Sequence, residues 1–336
     1  MSRTPTLALG LAALLATASA AAAEAYRVYA SNEYDASISV IDPETGTVTG
    51  TIPISGRPGD VRPRGMAVSP DGGTIYVAVS DFLPRKESPE DAIVAIDVAT
   101  DKVKRSYRAG GNPERVAISP DGKQIWAALE ATAQAVGIDA ETGAELGRFP
   151  TGVESEGVAV SPDGRFVYVT AETSHTVTVI DTEAMKVVKH LLVGNRPRDV
   201  TFASDGAKAY VSAEIGGTVT VIDARAHKVI GTINLGLDSR PVELNLSPDG
   251  SKLFVAGGGT SAVYVIDTAT DKVAQVVKEQ MGRRPWGLAV SPDGARVFTA
   301  NGLSDSVSVI DTACLCVDGQ IPAGRGAHSV EVGVVK

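Results

Sequence analysis

Six arginines, three glutamates, a tryptophan and a histidine cluster at two positions that flank a proline, or its equivalent, in each repeat of this 336-residue chain. One residue before it the chain reads Arg62, Asn112, Glu154, Arg196, Arg240, Arg284 and Gly326. One residue after it the chain reads Arg64, Glu114, Glu156, Arg198, Val242, Trp286 and His328. A planar guanidinium presents paired donors at carboxylate spacing, so arginines gathered at a common mouth suit bidentate grip of a carboxylate. Trp286 would add a flat apolar surface, and His328 a group that titrates near neutrality. The sharp expectation is an Arg-rich funnel for a small carboxylate ligand or the acidic loop of a partner, with Arg196, Arg198, Arg240, Arg284, Arg62 and Arg64 on one arc. Glu114, Glu154 and Glu156 would fall opposite. The plainer expectation is that these arginines and glutamates pair between repeats and hold the mouth together. Both remain open at this level.

An enzymatic alternative uses the same mouth. A channel metal with lactonase or hydrolase chemistry would need Glu and Asn around it, and Glu154, Glu156 and Asn112 are the candidates. The chain has no Cys-x-x-Cys-His, Gly-x-Ser-x-Gly, Walker or His-Glu-x-x-His motif, so the enzyme case rests on fold analogy. No cofactor is expected, and no residue is marked as catalytic.

These positions need a scaffold, and the period supplies it. Ile-Asp after a valine-rich run ends at Asp42, Asp97, Asp139, Asp181, Asp223, Asp267 and Asp311. A spacing in the low forties kept through seven passes marks a solenoid or a propeller. Within a unit such as 196–233, four short β-branched runs are separated by turn residues, and none is long enough for a helix. Ser-Pro-Asp-Gly recurs at 69–72, 119–122, 161–164, 247–250 and 291–294, with an altered copy at 203–206. Proline presets φ, aspartate bonds its own backbone and glycine takes the left-handed site. The seven Ile-Asp carboxylates are read the same way, as structural turn formers.

The first unit lacks an opening strand, and a spare one lies at 327–332. The expected fold is all-β: a seven-bladed β-propeller of four-stranded blades over residues 24–336, closed by the C-terminal strand joining the N-terminal blade. Closure protects sheet edges that an open array leaves exposed. In such a ring the first strand of each blade lines the channel. The residues flanking the proline then share one face, and the Ser-Pro-Asp-Gly turns share the other.

Residues 1–23 carry Arg3, an apolar stretch and an alanine run, the pattern of a cleaved signal peptide. The expectation is a periplasmic or secreted protein cut near Ala23, with no membrane span afterwards. The formal charge of −9 does not suit nonspecific nucleic-acid binding, which works by neutralising phosphates. Cys314 and Cys316 exclude a disulfide framework; a local disulfide, free thiols or a soft-metal pair are the alternatives. A charged insertion at 81–91, with Phe82 and Leu83, could dock a partner or lid the funnel, or be a tolerated surface excursion.

Tyr168-Val169-Thr170 and Val179-Ile180-Asp181 resemble the YVTN family of β-propeller repeats, across essentially all of 26–333. Gly-His and Trp-Asp marks of WD40 repeats are missing. Segments 195–198, 212–219 and 298–302 further resemble the propeller proteins associated with PQQ-dependent catabolism. That resemblance implies an exported accessory protein of a quinoprotein alcohol-oxidation system, with a periplasmic quinoprotein dehydrogenase or cytochrome c as partner. It does not imply that this chain binds PQQ.

Overall fold

The computed structural model describes residues 25–55, 59–83 and 88–335; the expected leader lies outside them. Seven four-stranded antiparallel sheets form a ring of blades. Blade 1 combines 26–53 with the strand Ala327–Val334, and the other blades follow in chain order as 61–108, 113–150, 155–192, 197–234, 241–277 and 285–322. The C-terminal strand is the innermost of blade 1 and runs antiparallel to Tyr26–Asn32, with Val28 opposite Val332 and Ala30 opposite Val330. The expected closure is therefore present. No helix among the described residues is long and apolar enough to cross a membrane.

The turn chemistry works as the sequence implies. In each intact Ser-Pro-Asp-Gly copy the serine hydroxyl donates to the aspartate at 2.5–2.6 Å and accepts the N–H five residues on. The Ile-Asp carboxylates accept one or two N–H groups of the following turn, as Asp181 does from Glu183 and Ala184. Second strands bury one large aromatic each: Tyr29, Tyr76, Trp126, Tyr168, Tyr210, Phe254 and Phe298. Several reach the next blade; Tyr29 donates to Asp101 at 2.7 Å. Outer strands are mostly exposed and anchored by a single buried residue, from Ile52 in blade 1 to Ile321 in blade 7. Packing between blades thus carries the ring, and the strand edges contribute little.

Candidate functional site at the channel mouth

Six of the seven blades enter the inner strand through the same backbone kink; in blade 2 Arg62 already lies inside its strand, Val61–Val68, without positive φ. Asn112, Glu154, Arg196, Arg240, Arg284 and Gly326 all have positive φ, between 44° and 67°. Asparagine and glycine accept this region readily; the other four hold it at a cost of about 1 kcal/mol each. The carbonyl of each kinked residue accepts the N–H of the residue just after the second strand of its sheet: Glu130, Glu172, Glu214, Gly258, Gly302 and Glu33 respectively. Four glutamates are thereby placed beside the arginines, and two blades carry glycine instead.

That substitution organises the charges. Arg198 is nearly inaccessible and contacts Glu172 directly, with Glu156 at 3.3 Å and Glu214 at 3.7 Å. Arg196 lies 2.8 Å from Glu172 and 3.3 Å from Glu214. Arg64 contacts Glu114 directly and Glu33 at 3.0 Å. Arg62 sits 3.6 Å from Glu33 and 4.0 Å from Glu114, and donates to Asn112 at 3.2 Å. The two opposed arcs expected from sequence are therefore not what the ring builds. Acids from strand ends interleave with bases from inner strands, because consecutive blades place one against the other. For Arg62, Arg64, Arg196 and Arg198 pairing across blades is the observed arrangement.

Arg284 differs. The positions that would supply its carboxylates are Gly258 and Gly302, and its single ion pair among the described residues is Glu214 at 3.7 Å. Burial pulls its pKa down, and the guanidiniums of Arg198, Arg240 and Arg196 add to this against Glu214. Its guanidinium stacks on Trp286 at 4.4 Å, with Arg198 at 4.8 Å from the same ring. The Trp286 ring lies 5.6 Å from that of His328. His328 is buried, and neither ring nitrogen has a hydrogen-bond partner. Burial, then the surrounding Arg64, Arg115, Arg198 and Arg62, hold its pKa well below the ordinary value, so it stays neutral at physiological pH.

Around these groups lies a cavity of about 340 Å³. Of the sequence candidates, Arg64, Arg196, Arg198, Arg284, Trp286, His328 and Glu156 line it, whereas Arg62, Arg240, Glu114 and Glu154 do not. Arg240 is exposed on the rim without an ion pair among the described residues. Glu154 accepts a bond from Thr173. Three further acids, Glu33, Glu130 and Glu172, also line it.

The metal alternative does not fit these residues. The Asn112 amide donates to Glu114 at 3.2 Å and to Glu130 at 2.5 Å. Glu154 is engaged by Thr173 and Glu156 by Arg198, so the proposed trio shares no common point. Among the described residues no group of three or more His, Cys, Asp or Glu is arranged to hold a metal ion.

Deeper in the channel lies a tier that sequence reasoning missed. Arg115 of blade 3 reaches across to Glu243 of blade 6 in a bidentate pair of 2.8 and 2.9 Å, with Asp199 of blade 5 at 3.6 Å. The signal was available two residues after the proline, where Gly65, Arg115, Gly157, Asp199, Glu243, Gly287 and Ser329 mix charges with glycines. At Gly157 an added Cβ would sit 2.4 Å from the carbonyl of Arg198, so blades there pack backbone to backbone.

Comparison with known proteins agrees with the ring. Residues 182–314 match the family described as lactonase, 7-bladed beta-propeller. No curated protein matches the chain. Hydrazine synthase of Kuenenia stuttgartiensis is similar in fold, with a TM-score of 0.68 at 20% identity, over 80% of this chain and 88% of that one. A functionally unknown protein of Desulfotomaculum acetoxidans gives 0.76 at 16% identity, covering 92% and 99%. A proposed 6-phosphogluconolactonase of Bacteroides fragilis gives 0.71 at 18% identity, covering 92% and 98%. At these identities the likeness is one of architecture: this chain is a seven-bladed β-propeller with a lactonase-type match over part of its length.

Proposed function

We propose that the mouth binds a small carboxylate-bearing molecule and opens a lactone ring in it by hydrolysis. The carrying observation is the asymmetric wall formed by Arg284, Trp286 and His328. There the repeat gives up the glutamates that neutralise arginine elsewhere and leaves a neutral imidazole without a partner. The partial family match, and the proposed lactonase among the fold neighbours, support hydrolysis over binding alone.

The roles follow from the geometry. Arg284 offers a guanidinium that is not saturated by carboxylate, in a partly desolvated setting where a charge-assisted pair is strong. Trp286 offers an apolar face for a ring. His328 offers one N–H donor and one acceptor nitrogen. An anionic substrate offsets part of the positive field that suppresses the imidazolium, so the ring can take a proton in the complex that it refuses in the free protein. It would accept the proton of an attacking water as that oxygen bonds to the lactone carbonyl. It would return the proton to the ring oxygen as the C–O bond breaks, leaving a hydroxy acid. No step is assigned to a metal.

Only two tryptophans occur, and Trp126 is fully buried in the core, so Trp286 reports on the mouth. Titration with aldonates should change its fluorescence saturably. Proton release from a panel of aldarolactones, which keep one free carboxylate beside the lactone, should follow enzyme concentration and fall at least about a hundredfold in His328→Gln, the loss expected for a general base. Saturable binding without turnover would leave a binding protein; absence of both would overturn the reading.

The exported accessory role stands as a second proposal. It is supported by the leader-like residues 1–23, by the quoted sequence resemblance, and by apolar tips exposed around the mouth at Tyr34, Ile215, Leu237 and Leu303, with Phe82 and Leu83 on the insertion. Cell fractionation, and copurification with a quinoprotein dehydrogenase or cytochrome c lost on Leu83→Glu, test it; a cytoplasmic location would remove it.

A further inference from the structure

The far face carries a feature that the mouth does not use. In every blade the turn between third and fourth strands is built on the Ile-Asp carboxylate, which accepts the N–H three residues on in each blade and the N–H two residues on in most. The position three residues after the aspartate reads Thr45, Thr100, Thr142, Ala184, Ala226, Thr270 and Cys314. The position five after it reads Thr47, Lys102, Ala144, Lys186, Lys228, Lys272 and Cys316. Only blade 7 has cysteines, and they are joined in a disulfide.

The bridge is redundant for the turn. Asp311 accepts from Ala313 at 2.8 Å and from Cys314 at 3.0 Å, matching the Asp181 turn of blade 4, which closes with alanine in place of Cys314. The residue between the cysteines is Leu315, at φ 52°; its counterparts Met185, His227 and Asp271 hold 48–53° with no bridge. A loop this short also removes little entropy from the unfolded chain, so the bridge is a poor staple. Leu315 packs against the apolar core between blades 6 and 7, and its carbonyl accepts from Gln275 at 3.3 Å. The loop is thereby pinned while both cysteines stay exposed. An exposed bridge that the surrounding structure does not need is the kind that exchanges with external thiols.

We propose that Cys314–Cys316 is a thiol–disulfide exchange site, mounted on the far face and independent of the mouth, whose co-reactant is an external dithiol. A thiolate of that dithiol attacks one sulfur, forming a mixed disulfide and releasing the other cysteine as thiolate, which takes up a proton. The second thiolate of the dithiol then attacks the mixed bond. The dithiol leaves oxidised to a disulfide, and Cys314 and Cys316 remain reduced by the same two electrons. Oxidised glutathione restores the bridge: one cysteine thiolate forms a mixed disulfide and releases one glutathione, and the other cysteine then displaces the second.

The test uses the full-length folded protein, dithiothreitol and glutathione buffers, and alkylation followed by mass measurement. Native protein should lose the bridge to stoichiometric dithiothreitol within minutes. It should populate both states in mixtures of reduced and oxidised glutathione, with its melting temperature shifted by no more than about 2.5 °C on reduction, the limit set by the small loop entropy. Cys314→Ala, which copies blades 4 and 5, should fold equally well and leave Cys316 able to form a mixed disulfide with glutathione. A bridge that resists glutathione until the chain unfolds would overturn the proposal. So would a reduced protein, or a Cys314→Ala variant, that melts more than about 5 °C lower, because the bridge would then be structural.

Discussion

Replacing Arg115 with methionine should destabilise the ring, and more at alkaline than at mildly acidic pH. The Arg115 side chain is 12% exposed and that of Glu243 4%, and their bidentate contact joins blades 3 and 6 across the channel. Removing one member of such a buried pair leaves the other charge uncompensated and costs about 3–5 kcal/mol. With an unfolding entropy near 2.1 cal/mol/K per residue over roughly 300 residues, that corresponds to a melting temperature lower by about 5–8 °C. The pH dependence comes from the acids left behind. Burial already raises Asp199 to about 6, with Arg115 opposing and Glu243 assisting, and raises Glu331 to about 8. A carboxyl whose folded pKa lies above its unfolded value contributes stability that is complete below the unfolded pKa. That contribution is lost as pH rises through the folded pKa. Both acids therefore favour the fold near pH 5.5 over pH 8.5, and removing Arg115 takes away the cation that lets them ionise. Thermal melts and urea unfolding of wild type and Arg115→Met at the two pH values measure this. Equal losses at both, or no loss at either, would refute the argument. Arg115→Met combined with Glu243→Leu should recover most of the stability, because no buried charge of that pair is then left alone.

Deleting 327–336 should abolish the cooperative melt followed by circular dichroism. It strips the inner strand from blade 1 and uncovers Val28 and Ala30, a loss comparable with the 5–15 kcal/mol that holds an ordinary domain together. Arg284→Ala and Arg198→Ala should separate binding from architecture. The first should weaken aldonate binding at least about tenfold with an unchanged melting temperature, as expected for loss of a charge-assisted contact. The second should lower the melting temperature by several degrees, because it takes the cation from Glu156 and leaves Glu172 and Glu214 to Arg196 and, for Glu214, the more distant Arg284. Tyr29→Phe should cost about 1–2 kcal/mol in urea unfolding by removing the bond to Asp101.

Much of the ring was legible because it rests on local signals repeated seven times. Ser161-Pro162-Asp163-Gly164 contains its own hydrogen-bonding partners, and a β-branched run such as Thr176–Asp181 states a strand, although its alternation does not reveal that both faces are buried between blades. Closure was legible from a deficit at one end matched by a surplus at the other. The mouth was legible only in part. Alignment of repeats places Arg198 and Glu156 on one rim, but it does not say that they lie 3.3 Å apart. Nor does it say that Arg240, in the same repeat position as Arg196, faces solvent without an ion pair among the described residues. The pairing of Arg115 with Glu243 spans 128 residues and three blades, a separation at which sequence spacing carries no distance information.

Blade number, strand order and turn chemistry were written into the order of residues, since each is settled by interactions between neighbours a few positions apart. The partner of each charge, and which imidazole and which guanidinium remain open to a ligand, depended on bending seven copies into a circle. Only in that circle do the glycines at 258 and 302 stand where carboxylates are supplied elsewhere, because the acids that neutralise a mouth arginine come from both its own blade and the preceding one.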